Sequence, residues 1–501
     1  MRTRSALAAC LVGALVLTAC GDFDAALRGP TPLVVAIGGE PDQLDPHKTT
    51  AYASFQVLEN VYDTLVVPNA DDSGFVPSLA TSWSTSPDQL SWTFHLRGGV
   101  TFQDGKTLDA ADVVWSLDRI IDQKLANAFR LKSIDRVVAV DPSTVRIDLK
   151  TPTPYLLAEL GGFKGTAILP AGIDKRLDLA RQTDGTGPFQ LARQTAAGIT
   201  LVPFRRYWGA GPFVSSVEFR FVSEPTTALV SLQTGEVDWT DNVPPQQVAD
   251  LEHDEHVRLG QVPSLDYWYL APNFARPPFD DPRVRRAIAL GVDRPAIAEA
   301  AQPGLAQVLQ TAIPAGNAWH SDYAPYTRDL PQARALLGAA GHPHLTMNVM
   351  VTTQYPETVQ AAEVIAANLH EIGIDVKVDV EQFATWLDRE SKGDFDTYLL
   401  GWLGNIDPFD FYQAQQTCGG VDNFGRYCDH ATDDVLNAAA TETDPGRRHD
   451  LYDQAAHRIV DANSYIYLYS PRVVQAWSPK LTGYQIRPDR AVDFETVRLA
   501  K

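Results

Sequence analysis

One stretch in the last third of the sequence has the spacing of a parallel strand–helix–strand unit. Apolar residues alternate with polar ones over 345–351, which predicts a half-buried strand. Apolar residues then recur at helical spacing from Val359 to Ile372, and Gly373 stands where that helix should stop. Alternation resumes over 374–380. Two strands joined by a helix are expected to be parallel with a right-handed crossover, so the sequence predicts an α/β protein.

A loop rich in glycine and aromatic residues follows the next predicted strand. The apolar run that ends at Leu400 leads into the loop Gly401-Trp402-Leu-Gly-Asn405-Ile-Asp407-Pro408. Open α/β sheets place their ligand crevices beyond the carboxyl ends of the strands. The loop Gly38-Gly39-Glu40 has the same kind of position, after a short apolar strand over 33–37. Both loops are therefore predicted to border a binding cleft.

Residues 83–150 have a different pattern. Their alternation is typical of antiparallel strands, and one helix is predicted from Ala110 to Ile121. This part of the chain is expected to form a smaller subdomain. Proline-rich breaks divide the rest of the chain, and two large lobes are expected to change over near Tyr267 to Asn273.

The N-terminus has the layout of a secretory signal. Arg2 and Arg4 precede an apolar run over 7–16, which is too short to span a membrane. Leu17-Thr-Ala-Cys20 then resembles the bacterial lipoprotein box, in which the cysteine is lipidated. We expect residues 1–19 to be a signal peptide, Cys20 to carry the lipid and residues 20–32 to be a tether. The alternative is a plain signal peptide with a chance cysteine.

The charge of the chain limits its possible partners, and its cysteine content indicates a disulfide. The chain has 42 basic and 62 acidic residues and a formal charge of −20, which argues against nucleic acid or anionic lipid as the main partner. Once Cys10 and Cys20 are set aside, Cys418 and Cys428 remain. Outside the reducing cytosol a disulfide between them is expected. A metal pair is the alternative, but it lacks two further ligands at the usual spacing.

Several stretches resemble the extracytoplasmic solute-binding proteins of peptide/nickel-type ABC importers, the family 5 substrate-binding lipoproteins. They come in that family's order, and they are WTFHLRGGVTFQDGKTLDAADVVWSLDRI (Trp92 to Ile120), GTGPFQL (Gly185 to Leu191), LQTGEVDW (Leu232 to Trp239) and LAPNFARPPFDDPRVRRAIALGVDR (Leu270 to Arg294). The resemblance implies a class II, two-lobed fold like that of periplasmic binding proteins, with a ligand cleft between the lobes. It also implies an ABC permease and ATPase as partners, a monomer, and a lipid anchor on the extracytoplasmic face of the cell membrane.

The same resemblance implies domain bounds. Lobe I would cover 33–270, with the smaller subdomain at about 83–170, and lobe II would cover 271–469. Residues 470–501 would return to lobe I.

The resemblance also suggests how the cleft binds its ligand. In dipeptide-binding members a glycine and a tryptophan wall the ligand, an aspartate holds its ammonium group and an arginine holds its carboxylate. Gly401 and Trp402 match the wall, whereas Asn405 stands at the aspartate's place, and Asp407 could substitute for the aspartate if the loop shifts. No arginine stands in 350–357, where Thr352, Gln354 and Tyr355 are the candidates. Further candidates are Gly39, Glu40, Tyr267, Tyr269 and Trp386, and the three aromatics could instead be core residues.

The predicted ligand is an oligopeptide-like solute. The alternative ligand is a neutral polar solute such as an oligosaccharide, and a binding protein that serves no transporter is a further possibility. An enzyme, for instance a secreted hydrolase, is less favoured, because the sequence contains no nucleophile elbow, phosphate loop or HExxH motif, and acid pairs such as Asp407/Asp410 arise by chance among so many acids. No cofactor is expected. No metal site is expected either, because the histidine pairs His253/His256 and His342/His344 suit solvated loops.

Overall fold

A computed structural model describes residues 31–71, 73–162 and 164–500. The predicted signal peptide, Cys20 and most of the tether lie outside these described residues. Within them, no helix is long and apolar enough to cross a membrane.

The strands of the described chain are numbered in chain order. They are β1 Leu33–Ile37, β2 Val66–Pro68, β3 Phe75–Pro77, β4 Ala80–Thr85, β5 Ser91–Leu96, β6 Ile134–Asp141, β7 Thr144–Leu149, β8 Phe189–Thr195, β9 Gly198–Pro203, β10 Val217–Phe221, β11 Trp239–Thr240, β12 Arg258–Pro263, β13 Tyr267–Pro272, β14 Ala306–Val308, β15 Leu345–Thr352, β16 Ile374–Glu381, β17 Thr397–Trp402, β18 Ile466–Trp477, β19 Leu481–Thr482 and β20 Arg498–Leu499.

The α-helices are numbered in the same way. They are α1 Tyr52–Leu58, α2 Ala110–Asp122, α3 Leu156–Gly161, α4 Pro225–Gln233, α5 Val248–Leu251, α6 Pro282–Gly291, α7 Arg294–Ala301, α8 Leu330–Ala339, α9 Pro356–His370, α10 Phe383–Lys392, α11 Pro408–Gln416, α12 His430–Thr441 and α13 Pro445–Ala462.

Several helices begin at an Asp-Pro pair. The side chains of Asp281, Asp407 and Asp444 accept hydrogen bonds from backbone amides in the first turns of α6, α11 and α13. Proline at the first helical position has no amide hydrogen to leave unpaired, and the aspartate satisfies one of the free donors that remain. The Asp407-Pro408 pair in the predicted cleft loop is thus also a helix start.

The strand–helix–strand prediction is confirmed. β15 and β16 pair in parallel from Leu345↔Ile374 to Thr352↔Glu381, and α9 connects them. Gly373, with φ +92°, lies in the left-handed region just after the helix, which glycine occupies without strain. Most apolar side chains of these strands pack into one large core, since a sheet covered by helices must hide its apolar residues, whereas Val380 near the end of β16 is exposed.

A long mixed sheet runs through the whole molecule in the order β16-β15-β17-β13-β18-β11-β1-β10-β9-β8, with β12 and β14 paired to β18. We call β13–β17 and the first half of β18, with their helices, lobe II. Lobe I consists of β1, β8–β12, the second half of β18 and the C-terminal segment. Each lobe has its own hydrophobic core.

Two segments of the chain cross between the lobes. The first is 263–267, between β12 and β13, and the second is 470–472, within β18. The Ser264 hydroxyl donates to the Pro471 carbonyl at 2.7 Å, so the two segments lie side by side. All six residues of β13 pair with β17, which places the first crossing a few residues before the expected boundary at 270/271.

The smaller subdomain of lobe I is an antiparallel sheet in the order β4-β5-β7-β6, covered by α2. Asp109 and Asp112 form a capping box at the start of α2. The apolar side chains between the sheet and α2 form a separate core that draws on residues 65–168. The subdomain carries residues such as Arg130 and Tyr155, which reach lobe II.

Candidate functional site

The loop after β17 packs against the first crossing segment. A Cβ on Gly404 would collide with the carbonyl oxygen of Leu265, so only glycine lets the two backbones approach this closely. The Gly404 amide donates to Asp266 Oδ1 at 3.2 Å. The loop that carries Trp402 and Asn405 is therefore attached directly to the junction between the lobes.

Gly401 and Trp402 occupy the end of β17. A Cβ on Gly401 would lie 2.8 Å from the indole of Trp268, so glycine leaves room for that ring. Trp268 stacks on Tyr469 and meets Tyr355 edge to face, with ring centroids 6.2 and 6.0 Å apart. Trp402 is half-buried, and its Nε1 is shut off from solvent without a hydrogen-bond partner among the described residues. Indole nitrogens usually find a partner when buried, so Trp402 has a donor to offer.

The lobes touch on the side of the small subdomain. Arg130 Nη1 lies 2.6 Å from Asp410 Oδ1, and Tyr155 stacks on Phe409 with centroids 3.7 Å apart. Asn405 is 5% exposed, and its amide lies so near Gly162 that a Cβ there would be 2.7 Å from Asn405 Nδ2. Residues at the start of α11 thus meet lobe I directly, and the cleft is closed in this structure.

A mixed group of charges lies where lobe I faces the loop after β17. Arg490, from the C-terminal segment, forms an ion pair with Asp266, with 2.6 Å between Nε and Oδ2. Asp241 follows β11 and accepts a hydrogen bond from Gln56 Nε2 at 2.7 Å. The hydroxyl of Tyr52 donates to the backbone carbonyl of Arg490 at 3.1 Å. Glu357, in the first turn of α9, is close enough to be stabilised by the charge of Arg490.

Burial raises the pKa of each of the three carboxylates. The pKa of Asp241 is raised to about 6 by burial, against the opposing charge of Arg490. Burial also raises the pKa of Asp266 and of Glu357, and again Arg490 acts in the opposite direction. One guanidinium therefore does not offset the desolvation of three carboxylates.

The structure corrects the expectation that Asp407 is a free anionic handle for the ligand. Asp407 is the N-cap of α11 and accepts from the Phe409 amide at 2.9 Å. Its carboxylate also binds both Nη atoms of Arg448, at 2.8 and 2.6 Å, and that arginine is buried. A carboxylate held by a bidentate arginine and a helix N-terminus is already neutralised. Asp407 is a structural residue here.

Three predicted aromatic candidates lie in the core of lobe II. Trp386 is fully buried and packs against Phe383 and Tyr398. Tyr269 is buried against Tyr465 with ring centroids 3.9 Å apart, and the buried hydroxyl of Tyr267 donates to Gln415 at 2.5 Å. The core alternative therefore holds for all three. Tyr267 and Tyr269 are strand residues two apart, so their side chains share one face, and that face is covered by other tyrosines.

The remaining candidates lie around the edge of the cleft. Thr352 is buried at the end of β15, where its carbonyl accepts from the Thr358 hydroxyl, whereas Gln354 is exposed. Tyr355 is half-buried next to Trp268. Gly39 and Glu40 follow β1, with Glu40 exposed. Of this set, Tyr355 is the aromatic side chain, and it lies beside the Trp268 ring.

Sequence reasoning missed Asp241, Asp266, Glu357 and Arg490. They come from four distant parts of the chain, and no local spacing connects them. One signal was present for Glu357, which follows Pro356 at a helix start directly after the strand end that was singled out. Arg490 had no signal, because it lies in an irregular segment and adopts a left-handed φ of +61°.

Cys418 and Cys428 are joined in a disulfide, as predicted. These two sulfurs and His430 lie within 4.8 Å of one another, the one such group of potential ligands among the described residues. Sulfurs joined to each other are not thiolates, and thiolates are what metals bind. The donor set does not fit a metal while the disulfide is intact.

A cavity of about 690 Å³ lies elsewhere. It belongs to lobe I and is lined by residues such as Gln103, Pro203 and Arg206. Several strands of the long sheet separate this cavity from the charged group and from the loop after β17. The cavity opens beside β8 and β9, and β8 is the strand at the edge opposite to β16. We assign the cleft as the candidate site on its chemistry and its place between the lobes.

Comparisons with known proteins agree with this architecture. Residues 74–423 match the family model of the bacterial extracellular solute-binding proteins, family 5. The chain is 30% identical over 485 residues to the glutathione-binding protein GsiB of Escherichia coli O1:K1 / APEC, an alignment that covers 93% of this chain and 94% of that protein.

Solved structures also resemble this chain over most of its length. The periplasmic binding protein DppA from Helicobacter pylori, in complex with the peptide STSA, superposes with a TM-score of 0.86 and 28% identity over 95% of this chain and all of that one. AgaA of A. tumefaciens R10, in complex with agropinic acid, superposes with a TM-score of 0.84 and 29% identity. The alignment covers 94% of this chain and 99% of that one. The predicted two-lobed, class II fold is confirmed, and these relatives are binding proteins rather than enzymes. The chain belongs to the bacterial extracellular solute-binding proteins of family 5.

Proposed function

We propose that this protein is the substrate-binding component of an ABC importer, and that it captures an oligopeptide-like solute and delivers it to a membrane permease and its ATPase. The observation that carries the proposal is the pair of lobes joined by two adjacent crossing segments and in contact across a cleft. Two-lobed proteins of this kind close on a ligand by bending a few residues in the segments between the lobes.

The crossing segments supply what such a hinge needs. Within the part of the chain that the structure describes, 263–267 and 470–472 are the two covalent connections between the lobes, and they lie side by side through Ser264 and Pro471. A ligand that touches both lobes binds the closed form and shifts the equilibrium towards it. We expect Tyr355 of lobe II and Asp241 of lobe I to make such two-sided contacts.

A peptide suits the polar atoms of the cleft. Trp402 Nε1 is a buried donor that finds no partner among the described residues, and Asp241 Oδ1 is a buried acceptor. Peptides present both carbonyl oxygens and amide or amino N–H groups, so they can satisfy both kinds of atom. The relatives named for glutathione and for the peptide STSA bind molecules of this class.

We further propose that Cys20 is lipidated and holds the protein on the extracytoplasmic face of the cell membrane. The support is the Leu17-Thr-Ala-Cys20 sequence after a charged and apolar leader. A Cys20→Ser variant is expected to leave the membrane fraction. Retention of that variant in the membrane would contradict the assignment.

Calorimetry with tetrapeptide pools tests the binding function. The wild type is expected to bind at least one pool, and Trp402→Ala should weaken that binding tenfold or more, because the indole is the wall at the end of β17. Trp83→Ala, in β4 of the small subdomain, is the control that should bind normally. Failure of every peptide pool to bind would contradict the peptide assignment.

A further inference from the structure

A pocket on the surface of lobe II, which we call the histidine pocket, is lined by three histidines and three aspartates. Its volume is about 430 Å³, and these residues are His320, His449, His457, Asp322, Asp450 and Asp453. The whole chain has eleven histidines, so three in one pocket is a marked concentration. All six residues belong to lobe II, so the pocket does not depend on closure of the cleft.

One wall of the histidine pocket is a face of α13. His449, Asp453 and His457 are spaced four residues apart, so their side chains project from the same side of that helix. The His449 ring stacks on Trp319 with centroids 6.1 Å apart, and the His457 ring stacks on Tyr323 with centroids 3.8 Å apart. Stacking occupies the faces of the imidazoles and leaves their edges, which carry the nitrogen atoms, open to the pocket.

The other wall is the segment 309–329 between β14 and α8, for which the structure describes neither helix nor strand. His320 Nδ1 lies 2.6 Å from the carbonyl oxygen of Ile313, which can only accept a hydrogen bond. Nδ1 therefore carries the hydrogen, and Nε2 of the neutral ring keeps its lone pair. Metal-binding histidines are usually oriented in this way, by donating the second ring nitrogen to a carbonyl or a carboxylate. His320 Nε2 lies 3.4 Å from Asp322 Oδ1.

The carboxylate of Asp453 connects the two walls. Its Oδ1 accepts from the Ser321 hydroxyl, and its Oδ2 lies 3.5 Å from His457 Nε2. Two ligand atoms that bind one tetrahedral ion at about 2.0–2.1 Å are about 3.3–3.4 Å apart. The pairs His457/Asp453 and His320/Asp322 therefore each have nearly the spacing of two ligands of one ion.

We propose that the histidine pocket binds a divalent transition-metal ion of the Zn²⁺ class, which clamps the segment 309–329 to α13. His320, His449 and His457 supply nitrogen ligands, and Asp453 supplies an oxygen ligand. In the present conformation no three donor atoms of these residues lie within 4.8 Å of one another, so the ion draws the irregular segment and the helix together when it binds.

The chemistry of the donor atoms selects the class of ion. Imidazole nitrogens with a carboxylate suit Zn²⁺, Ni²⁺ and Cu²⁺, whereas Mg²⁺ and Ca²⁺ prefer sites made of oxygen atoms. An anion is disfavoured by the three aspartates of the pocket. The sequence led us to expect no metal site because only histidines close together in the chain were considered, and His320 is far from His449 and His457.

Calorimetric titration of the full chain in detergent with Zn²⁺ tests the site. The wild type is expected to bind about one equivalent most tightly. The double variant His449→Gln/His457→Gln should bind that equivalent about tenfold more weakly or worse, because it has lost two nitrogen ligands. The control His253→Gln/His256→Gln, a pair of exposed histidines after α5, should bind as the wild type does. Excess Mg²⁺ should not displace Zn²⁺.

Thermal melting tests the clamp. Zn²⁺ should raise the melting temperature of the wild type and of the control, because an ion that binds the folded protein stabilises it. It should not raise the melting temperature of His449→Gln/His457→Gln.

Two results would overturn the proposal. One is that the wild type fails to bind Zn²⁺, and the other is that His449→Gln/His457→Gln binds Zn²⁺ as tightly as the wild type. Melting without metal identifies a double variant that has lost its fold, and the single change His320→Gln then decides by the same comparison. Neither result bears on the peptide function, because the histidine pocket lies within lobe II.

Discussion

Arg130 of the small subdomain and Asp410 of α11 form an ion pair across the cleft, with 2.6 Å between Nη1 and Oδ1. Asp410 is 7% exposed, and Arg130 is 20% exposed. Glu159 also approaches Arg130, but at 3.4 Å. Tyr155 and Phe409 stack beside this pair. The lobes are therefore connected by contacts that form only when the cleft is closed.

Replacing Arg130 by glutamine should weaken ligand affinity without touching the ligand. Loss of one partner of a largely buried charge pair costs about 1–3 kcal/mol after allowance for its partial exposure, which is about 5- to 150-fold in affinity. Arg136→Gln is the matched control, because Arg136 is 65% exposed and pairs with Asp148 within the subdomain. Calorimetry compares the peptide affinities of the Arg130→Gln and Arg136→Gln variants. Equal affinity for wild type and Arg130→Gln would show that the pair does not support closure.

Asp407→Asn should lower the stability of lobe II rather than alter which ligands bind. The change leaves the buried guanidinium of Arg448 without its carboxylate, and such a loss costs about 3–5 kcal/mol. Asparagine keeps the N-cap acceptor, so the effect isolates the ion pair. Denaturant unfolding measures this loss of stability. Asp433→Asn is unsuitable as a control, because Asp433 accepts a hydrogen bond from the Cys418 amide. Asp388→Asn, on the exposed face of α10, is the suitable control. A change in ligand preference with unaltered stability would contradict the structural role of Asp407.

Glu390 should make the protein less stable as pH rises. Burial, together with the charge of Asp422, raises the pKa of Glu390 to about 8. The folded protein therefore keeps this proton up to about pH 8, while the unfolded chain releases it above about pH 4.5. The free energy of unfolding falls across that interval. Since one pKa unit corresponds to about 1.4 kcal/mol, Glu390→Gln should be more stable than wild type by about 2–4 kcal/mol at pH 8.

Below pH 4.5 the Glu390→Gln variant and the wild type should be equally stable. Glu363→Gln, an exposed change on α9, is the control and should follow the wild type at all pH values. Thermal unfolding at a series of pH values provides the test. A Glu390→Gln curve parallel to that of the wild type would show that Glu390 is ionised in the folded protein.

Removal of the Cys418–Cys428 disulfide should lower stability by about 2–3 kcal/mol, because the bond closes a short loop in the unfolded chain. The double variant Cys418→Ser/Cys428→Ser should match the wild type under reducing conditions. Mass spectrometry of unreduced peptides checks the bond itself. Two free thiols in the native protein would contradict it.

The sequence predicted the elements that depend on local spacing. The β15–α9–β16 unit, the loop after β17 and the antiparallel subdomain all follow from periodicity and turn residues. The surroundings of the aromatic candidates were harder to predict from local spacing. Tyr267 and Tyr269 share one face of β13, but whether that face meets the cleft or the core depends on Tyr465 and other distant residues.

The charged residues of the site could not be predicted from local spacing either, because their partners also lie far away in the sequence. The position of Asp407 after the Trp402 loop favours a role as a ligand anion, yet its partner Arg448 lies 41 residues further on. Arg490 and Asp266 are brought together only by the return of the C-terminal segment to lobe I. Pairing across such distances leaves no periodic pattern in the sequence, so charge compensation could be assessed only in the folded structure.

The most direct test is the distance between the lobes with and without a ligand. Spin labels at Val140→Cys and Val380→Cys, both exposed and on opposite lobes, report that distance by double electron–electron resonance. Addition of a peptide pool that binds by calorimetry should shift the distribution to a shorter and narrower distance. An identical distribution with and without the bound peptide would contradict capture by closure of the two lobes.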